Sequence, residues 1–412
     1  MSERTFIILG ASLAGAKAAE ELRERGFDGK VVLVGTELER PYERPPLTKD
    51  YLRGESEREK AYVHPEGFYD EHDISLESGV TATAIHPGSA TVVLDDGREL
   101  QYDRLLLTTG AQPREIPVPG ADLDDVYYLR TLDNSDVLRQ RLDVGGRVAV
   151  IGGGWIGSEF AASARQKGLE VALIDPLEVP MARLFGDEVG SFYRDVHAQH
   201  GVDLLLGDGV RSFEGDGAVS RVITSGGKTV ECDFVVVGIG VAPRVGLAEA
   251  AGIRIDNGIV VDEHLRSSAD NVFAAGDVAN AWHPFYKRQI RVEHWANALN
   301  QGPAAARAML DDSAGYERLP YFFSDQYDVG MEYSGYAIDW DEVVFRGTAE
   351  SGEFVAFWLQ DGRVVAGMNV NVWDVNEHVQ DLIRSRAQVN TAELADPDTS
   401  LESMSGAPST DN

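Results

Sequence analysis

The sequence predicts an α/β protein: two doubly wound parallel sheets, one after the other, followed by a smaller α+β domain. Three observations lead there. A glycine turn, Gly10-Ala11-Ser12-Leu13-Ala14-Gly15, follows a short apolar run and precedes a segment with helical spacing. A second turn of the same kind, Gly152-Gly153-Gly154-Trp155-Ile156-Gly157, repeats that plan later in the chain. From about Leu319 the pattern changes to several strand-like runs closed by one helix. A strand, a glycine turn and a helix form the βαβ unit that cradles a dinucleotide, so two turns predict two dinucleotides.

Taken in order, Phe6 to Leu9 reads as the first strand. Ala14, Ala18, Ala19 and Leu22 form one helical stripe, and Val31 to Val34 the next strand. Val80 to Ile85, Thr91 to Leu94 and Arg104 to Thr108 read as an antiparallel excursion that returns to the sheet. Gly110-Ala111-Gln112-Pro113-Arg114, with Pro117, Pro119 and Gly120, reads as a crossover between domains. Val148 to Ile151, the stripe Ile156, Phe160, Ala161 and Ala164, and Val171 to Ile174 repeat the opening unit. A second crossover follows Val235 to Gly240, near Pro243. Runs at Glu342 to Arg346, Phe354 to Leu359 and Val364 to Val370 precede a helix from about Val375 to Arg386. The expected domains are therefore 1–111 with 243–318, 112–242, and 319–389. A polar, acidic stretch, 390–412, is expected to be disordered.

Composition narrows the function. The 412 residues carry a formal net charge of −31, which argues against nucleic acid or an anionic membrane as partner. No apolar run approaches the roughly 20 residues that span a bilayer. The run from Phe6 to Ala16 has the length of a signal-peptide core, but Glu3 and Arg4 cancel before it and its glycines suit a phosphate turn. A cytoplasmic protein is expected. The one cysteine, Cys232, supplies neither an intrachain redox disulfide nor the ligands of an iron–sulfur cluster. No metal site is expected, and a cluster in the same electron path must belong to a partner.

The motifs add chemistry. In the first turn Ser12 stands where the middle glycine lets the backbone approach a pyrophosphate, and a serine is small enough to be accepted there. After the next strand, Glu37, or Thr36 in its place, is positioned to meet the ribose of an adenine dinucleotide; a solvated loop glutamate is the plainer reading. In the second turn Gly152, Gly154 and Gly157 complete the pattern, with Asp175 where a ribose-reading acid is expected. A carboxylate there repels a 2′-phosphate, which favours NADH over NADPH. Arg183 either contacts that cofactor or faces solvent. Gly276 and Asp277 end the run Val272-Phe273-Ala274-Ala275; Asp277 can bond a flavin ribityl hydroxyl, cap the next helix, or do both.

With these motifs the chain, over about residues 5–385, resembles the FAD-containing, NADH-dependent ferredoxin reductases that feed cytochromes P450 and ring-hydroxylating dioxygenases. The resemblance rests also on Pro41-Tyr42-Glu43-Arg44-Pro45-Pro46-Leu47-Thr48-Lys49, Thr108-Thr109-Gly110-Ala111-Gln112-Pro113-Arg114 and Tyr128-Leu129-Arg130-Thr131. Later matches are Arg291-Val292-Glu293-His294-Trp295-Ala296-Asn297 and Phe323-Ser324-Asp325-Gln326-Tyr327. It implies a glutathione-reductase-like architecture of an FAD domain, an NAD domain and a C-terminal domain. It implies that Gly10, Ser12, Leu13, Ala14 and Gly15 meet the FAD pyrophosphate and that Arg44 supports the same phosphates. Ala82 would meet the adenine end, and Thr109, Gly110 and Arg130 would border the same cofactor. Lys49 would lie beside flavin N5 with Glu159 as its ion-pair partner; from the residues alone Lys49 is an exposed lysine of a first turn. Glu293, His294 and Trp295 would open a helix towards Ala308 whose N–H groups face the flavin pyrimidine, with His294 as packing rather than a general acid. Trp155, Ile156, Gly238 and Gly240 join the NAD set. The chain has Phe323 where many such reductases have tryptophan.

The resemblance implies a [2Fe–2S] ferredoxin as acceptor and a P450 or dioxygenase beyond it. Alternatives on the same fold are a rubredoxin reductase, the NADH–FAD module of another reductase such as a nitrite reductase, and a redox-sensing protein like apoptosis-inducing factor. The single cysteine argues against a disulfide reductase.

Overall fold

The computed structural model describes residues 4–405. Its described residues divide into two compact units, residues 4–45, 57–112 and 241–318 in the first and 46–56, 113–240 and 319–405 in the second.

The first unit is built on a five-stranded parallel sheet in the order Val272–Ala274, Arg104–Leu107, Thr5–Leu9, Lys30–Gly35, Ile74–Ser78. Its central strands are runs of β-branched and leucine residues because helices cover both faces of such a sheet; Ile7, Ile8, Leu33, Leu105 and Leu106 have no exposed surface. The helix Leu13–Glu24 leaves the first strand through the glycine turn. The helix Trp295–Met309 lies close against it, because Gly302 lets the backbones meet: a Cβ there would sit 2.3 Å from the Ala14 carbonyl oxygen. A small antiparallel sheet, Ala82–His86, Thr91–Leu94 and Glu99–Gln101, is the predicted excursion. Its first strand begins at Ala82 rather than Val80, because Gly79 and Val80 still bond back to Glu37 and Gly35. The edge strand Ile74–Ser78 escapes the sequence reading: its alternation of Ile, Ser, Leu, Glu and Ser is short and half polar.

The second unit repeats the plan. Its parallel sheet runs Asp203–Leu206, Glu170–Asp175, Arg147–Ile151, Phe234–Val237, Val126–Tyr128. In both sheets the strand before the glycine turn is central, and the chain crosses to opposite sides of it, which creates a switch point at the strand's C-terminal end. The same unit contains an antiparallel sheet ordered Tyr321–Gln326, Val329–Gly335, Arg363–Val370, Glu353–Gln360, Glu342–Thr348, with the helix Asn376–Ser385 against it. Its core is aromatic; the fully buried Trp358 indole donates to the Phe185 carbonyl oxygen at 2.9 Å.

The expected disorder from residue 390 is corrected up to the last described residue. Thr391–Ala395 and Leu401–Met404 are helical, with Leu394 and Leu401 buried. The Arg346 guanidinium gathers this segment, donating to the carbonyl oxygens of Leu394, Pro397 and Thr399. Two leucines and one arginine anchor a stretch whose overall composition reads as unstructured. Residues 406–412 lie outside the described part. Among the described residues no helix is long and apolar enough to cross a membrane.

Candidate functional site

In the first unit the glycine turn opens a helix whose first N–H groups are unclaimed by any cap. Ser12 is the N-cap residue but makes no side-chain cap hydrogen bond, and the first turn holds no acidic residue. The helix beginning at Trp295 has the same character: its N-cap is His294, without a side-chain cap bond, and its first turn has no acid. In a chain with 68 acidic residues, two uncapped, acid-free helix starts leave their dipoles for an anion. The helix Leu132–Val144 shows the contrast, with a full capping box from Thr131 and Asn134 and Asp133 in its first turn.

Close packing shapes the first turn. A Cβ on Gly15 would lie 2.1 Å from the Gly10 carbonyl oxygen. Thr108, missed as a site residue, closes the other side, its hydroxyl donating to that oxygen at 2.9 Å. Gly276, at φ +78°, approaches Ala14, and its N–H donates at 2.9 Å to the side chain of Gln301, a second missed residue. Gly276 and Asp277 are thereby brought to the start of the turn helix, and Asp277 faces His294. Burial pushes the His294 imidazole down to about 4, against the pull of Asp277, so it is neutral at neutral pH. Arg291 donates to the Asp277 carbonyl oxygen and pairs with Glu293.

At the end of the second strand Glu37 is held, not free in a loop. Its carboxylate accepts from the Tyr42 hydroxyl at 2.5 Å and lies 3.6 Å from the Arg44 guanidinium. Thr36 is exposed, bonded by the Thr81 hydroxyl, next to Ala82. The Thr109 hydroxyl is turned to the Arg244 carbonyl oxygen, with Gly110 beside it.

The second unit carries the second turn. The helix Trp155–Gln166 starts at Gly154 without a side-chain cap bond and without an acid in its first turn. A Cβ on Gly157 would lie 1.9 Å from the Gly152 carbonyl oxygen, and one on Gly152 2.5 Å from that of Gly238. Gly154 has extended backbone, and no protein atom lies within 4 Å of where its Cβ would be. That explains Ser12 at the matching position of the first turn, also extended at φ −127°. Asp175 is 7% exposed and ties the turn together. One oxygen accepts the Gly153 N–H at 2.5 Å and the other the Leu177 N–H at 2.8 Å. Trp155 meets Phe185 and Phe322 edge-on, Ile156 is half-buried, and Gly240 and Arg183 are exposed.

The same unit holds the Lys49–Glu159 ion pair, at 2.7 Å. Segment 46–56 is pinned by hydrogen bonds from Ser135 to the Leu47 carbonyl oxygen, from Ser163 to that of Thr48, and from Tyr51 to Asp136. Lys49 therefore does not stand exposed; its side chain is 12% accessible, with the Phe323 ring 5.7 Å from its ammonium. Arg130 precedes the capped helix Leu132–Val144 in this unit. The helix starts, the glycine cradles and a buried lysine–carboxylate pair fit phosphate-bearing redox cofactors. Thr48 and Ser324, whose hydroxyls donate to Glu159, and Thr108 and Gln301 are the residues that sequence reasoning missed; the first three stand in the motifs above, but nothing in a motif says which hydroxyl is buried.

Comparison with known proteins places the chain in a family. Residues 4–302 match the family model described as pyridine nucleotide-disulphide oxidoreductase, and residues 321–405 match that described as reductase C-terminal. The chain is 36% identical to rhodocoxin reductase of Rhodococcus erythropolis, over 97% of this chain and 93% of that one. It is 39% identical to the ferredoxin–NAD(+) reductase component of the anthranilate 1,2-dioxygenase system of Burkholderia cepacia, over 98% and 100%. Among solved structures it superposes on the covalent putidaredoxin reductase–putidaredoxin complex with a TM-score of 0.93, at 36% identity and 97% coverage of each chain. The ferredoxin reductase for the CYP199A2 system of Rhodopseudomonas palustris gives 0.94, also at 36% identity, over 97% and 99%.

Proposed function

Because the chain belongs to the pyridine nucleotide-disulphide oxidoreductase family, with a reductase C-terminal domain, we propose that it is an FAD-dependent NADH:ferredoxin reductase. Its acceptor is a [2Fe–2S] ferredoxin serving a cytochrome P450 or a ring-hydroxylating oxygenase. The observation that carries this reading is the pair of glycine turns, each opening a helix left without cap or acid, in a chain otherwise rich in carboxylates.

In this reading residues 1–111 and 243–318 bind FAD, 112–242 bind NADH, and 319–389 form the C-terminal domain. Gly10 to Gly15 place N–H groups on the FAD pyrophosphate, with Arg44 held for the same charge by Glu37 and Tyr42. Thr36, Glu37 and Ala82 meet its adenosine end, Asp277 its ribityl chain. Thr109, Gly110 and Arg130 border it. Glu293, His294 and Trp295 offer a helix start that favours negative charge on the ring. Gly152, Gly154 to Gly157, Gly238 and Gly240 take the NADH pyrophosphate, Asp175 its ribose, and Arg183 supports it from the surface. Bound FAD would accept a hydride from NADH and release electrons singly, which is the flavin's own chemistry. The protein's part is placement: Lys49, fixed by Glu159, is the cation offered to the flavin edge. The buried Cys232 thiol, pushed up to about 12 by burial and flanking carboxylates, is inert and has no cysteine partner in the chain. That removes disulfide chemistry from this member. Its place of work is the cytoplasm, where NADH is regenerated.

The test is direct. The purified chain is loaded with FAD, and loss of flavin colour is followed with NADH and with NADPH. Reduction of a [2Fe–2S] ferredoxin and of a rubredoxin is then compared. Rapid bleaching by NADH, slower bleaching by NADPH and turnover with the ferredoxin are expected. Bleaching without transfer to any [2Fe–2S] protein, but with transfer to rubredoxin, replaces the acceptor; no bleaching overturns the reading.

A further inference from the structure

The Glu159 carboxylate is held by more than Lys49. Its Oε1 accepts the Ser324 hydroxyl at 2.7 Å, and its Oε2 accepts both the Thr48 hydroxyl, at 2.5 Å, and the Lys49 ammonium. The three donors come from two distant segments: Thr48 and Lys49 are consecutive at the end of the turn Pro45–Thr48, and Ser324 lies on the strand Tyr321–Gln326. Thr48 is 6%, Glu159 8% and Ser324 1% exposed, so the cluster is shielded from bulk solvent.

The direction of the Ser324 bond is fixed by its acceptor. The Glu159 carboxylate, paired with Lys49, only accepts, so the Ser324 hydroxyl is the donor in their bond. Its single proton is thereby committed to Glu159. The groups that face this cluster are Asp50 and Arg53 from segment 46–56, Asp325 from the strand and the buried Tyr193 hydroxyl from the helix Ala182–Gln199. Among them Asp325 feels the Lys49 charge, while the ion pair of Lys49 is formed with Glu159. Lys49 carries three donors on a flexible stem and has two carboxylates within electrostatic reach.

We propose that Ser324 and Thr48 are positioning residues for Lys49: their hydroxyls fix the Glu159 carboxylate so that the ammonium it pairs with is held in one place. A strand of the C-terminal sheet thereby reaches the lysine of the proposed flavin site. This rests on the reading above for what Lys49 serves, but the positioning itself is measurable without turnover.

The experiment uses the full, FAD-loaded chain and its Ser324→Ala, Ser324→Thr and Thr48→Val variants. Lys49 modification by an amine reagent is read by mass spectrometry against the exposed Lys60. In parallel, the limiting rate of flavin bleaching and the NADH concentration giving half that rate are measured. Loss of one hydrogen bond to a charged group implies about a tenfold effect. Ser324→Ala is expected to speed Lys49 labelling several-fold and to slow the limiting rate by about tenfold, leaving the half-saturating NADH concentration within about twofold. Thr48→Val should act in the same direction, and Ser324→Thr should restore both quantities. Unchanged Lys49 labelling in Ser324→Ala and Thr48→Val overturns the proposal. So does a threonine that fails to restore what alanine removes. If the parent chain is not bleached by NADH, the functional reading fails, while the labelling comparison still decides the positioning.

Discussion

Asp175 illustrates how one residue serves the fold and the proposed cofactor together. A ribose-reading acid needs its charge at the end of the second strand of the unit, and the sequence places it there. The structure adds that both of its oxygens already hold backbone N–H groups, of Gly153 and Leu177. An ionised carboxylate has about four lone-pair sites, so two remain for hydroxyls. Asp175→Asn removes the charge and one of the two backbone acceptors. We expect a fold that persists with a lower Tm, by a few degrees, since a buried N–H loses its partner at a cost of about 1–3 kcal/mol. We also expect the preference for NADH over NADPH to shrink by roughly tenfold, the equivalent of about 1.4 kcal/mol of lost repulsion. Thermal melts and bleaching rates with the two nucleotides check both parts. An unchanged preference would mean that the carboxylate acts on the turn alone.

At the scale of elements, the two strand–turn–helix units were legible because each pattern has one physical reading. A glycine is required where a Cβ would fall 2.1 Å or 1.9 Å from a carbonyl oxygen, as at Gly15 and Gly157. At the middle position no protein atom stands in the way of a side chain, and Ser12 occupies one copy of it. What was not legible depends on contacts distant in sequence. Ser324 and Thr48 look like ordinary hydroxyls until the fold buries them on Glu159. The segment after residue 390 looks unstructured because its acidic composition hides Leu394, Leu401 and the three carbonyl oxygens taken by Arg346. That segment is predicted to contribute stability. Burying a leucine side chain is worth about 1.5–3 kcal/mol. A chain ended after Val389 should therefore lose about 3–6 kcal/mol, from two leucines, and melt clearly lower while still being bleached by NADH when folded. An unaltered melt would return the segment to the role of a tail.

For the whole molecule the governing quantity is charge. Acidic residues number 68 and basic ones 37, leaving −31. Several of the cations are spent in exposed pairs, among them Arg98 with Glu77 and Asp96, and Arg147 with Glu170. Exposed pairs contribute about 0–1 kcal/mol each, so salt takes little stability away by weakening them. The excess of carboxylates has no such offset, and like charges on a compact surface repel. Raising the ionic strength from about 0.01 to about 0.15 M shortens the screening length from roughly 30 to 8 Å, which removes most of that repulsion between separated charges. The loss of repulsion exceeds the loss of attraction, because unpaired negative charges outnumber the cations left to attract them. The melting temperature of the FAD-loaded chain should therefore rise with sodium chloride across this range and flatten above it. The sign decides the matter: a fall would show that the surface pairs, and not the net charge, dominate the electrostatics of this fold.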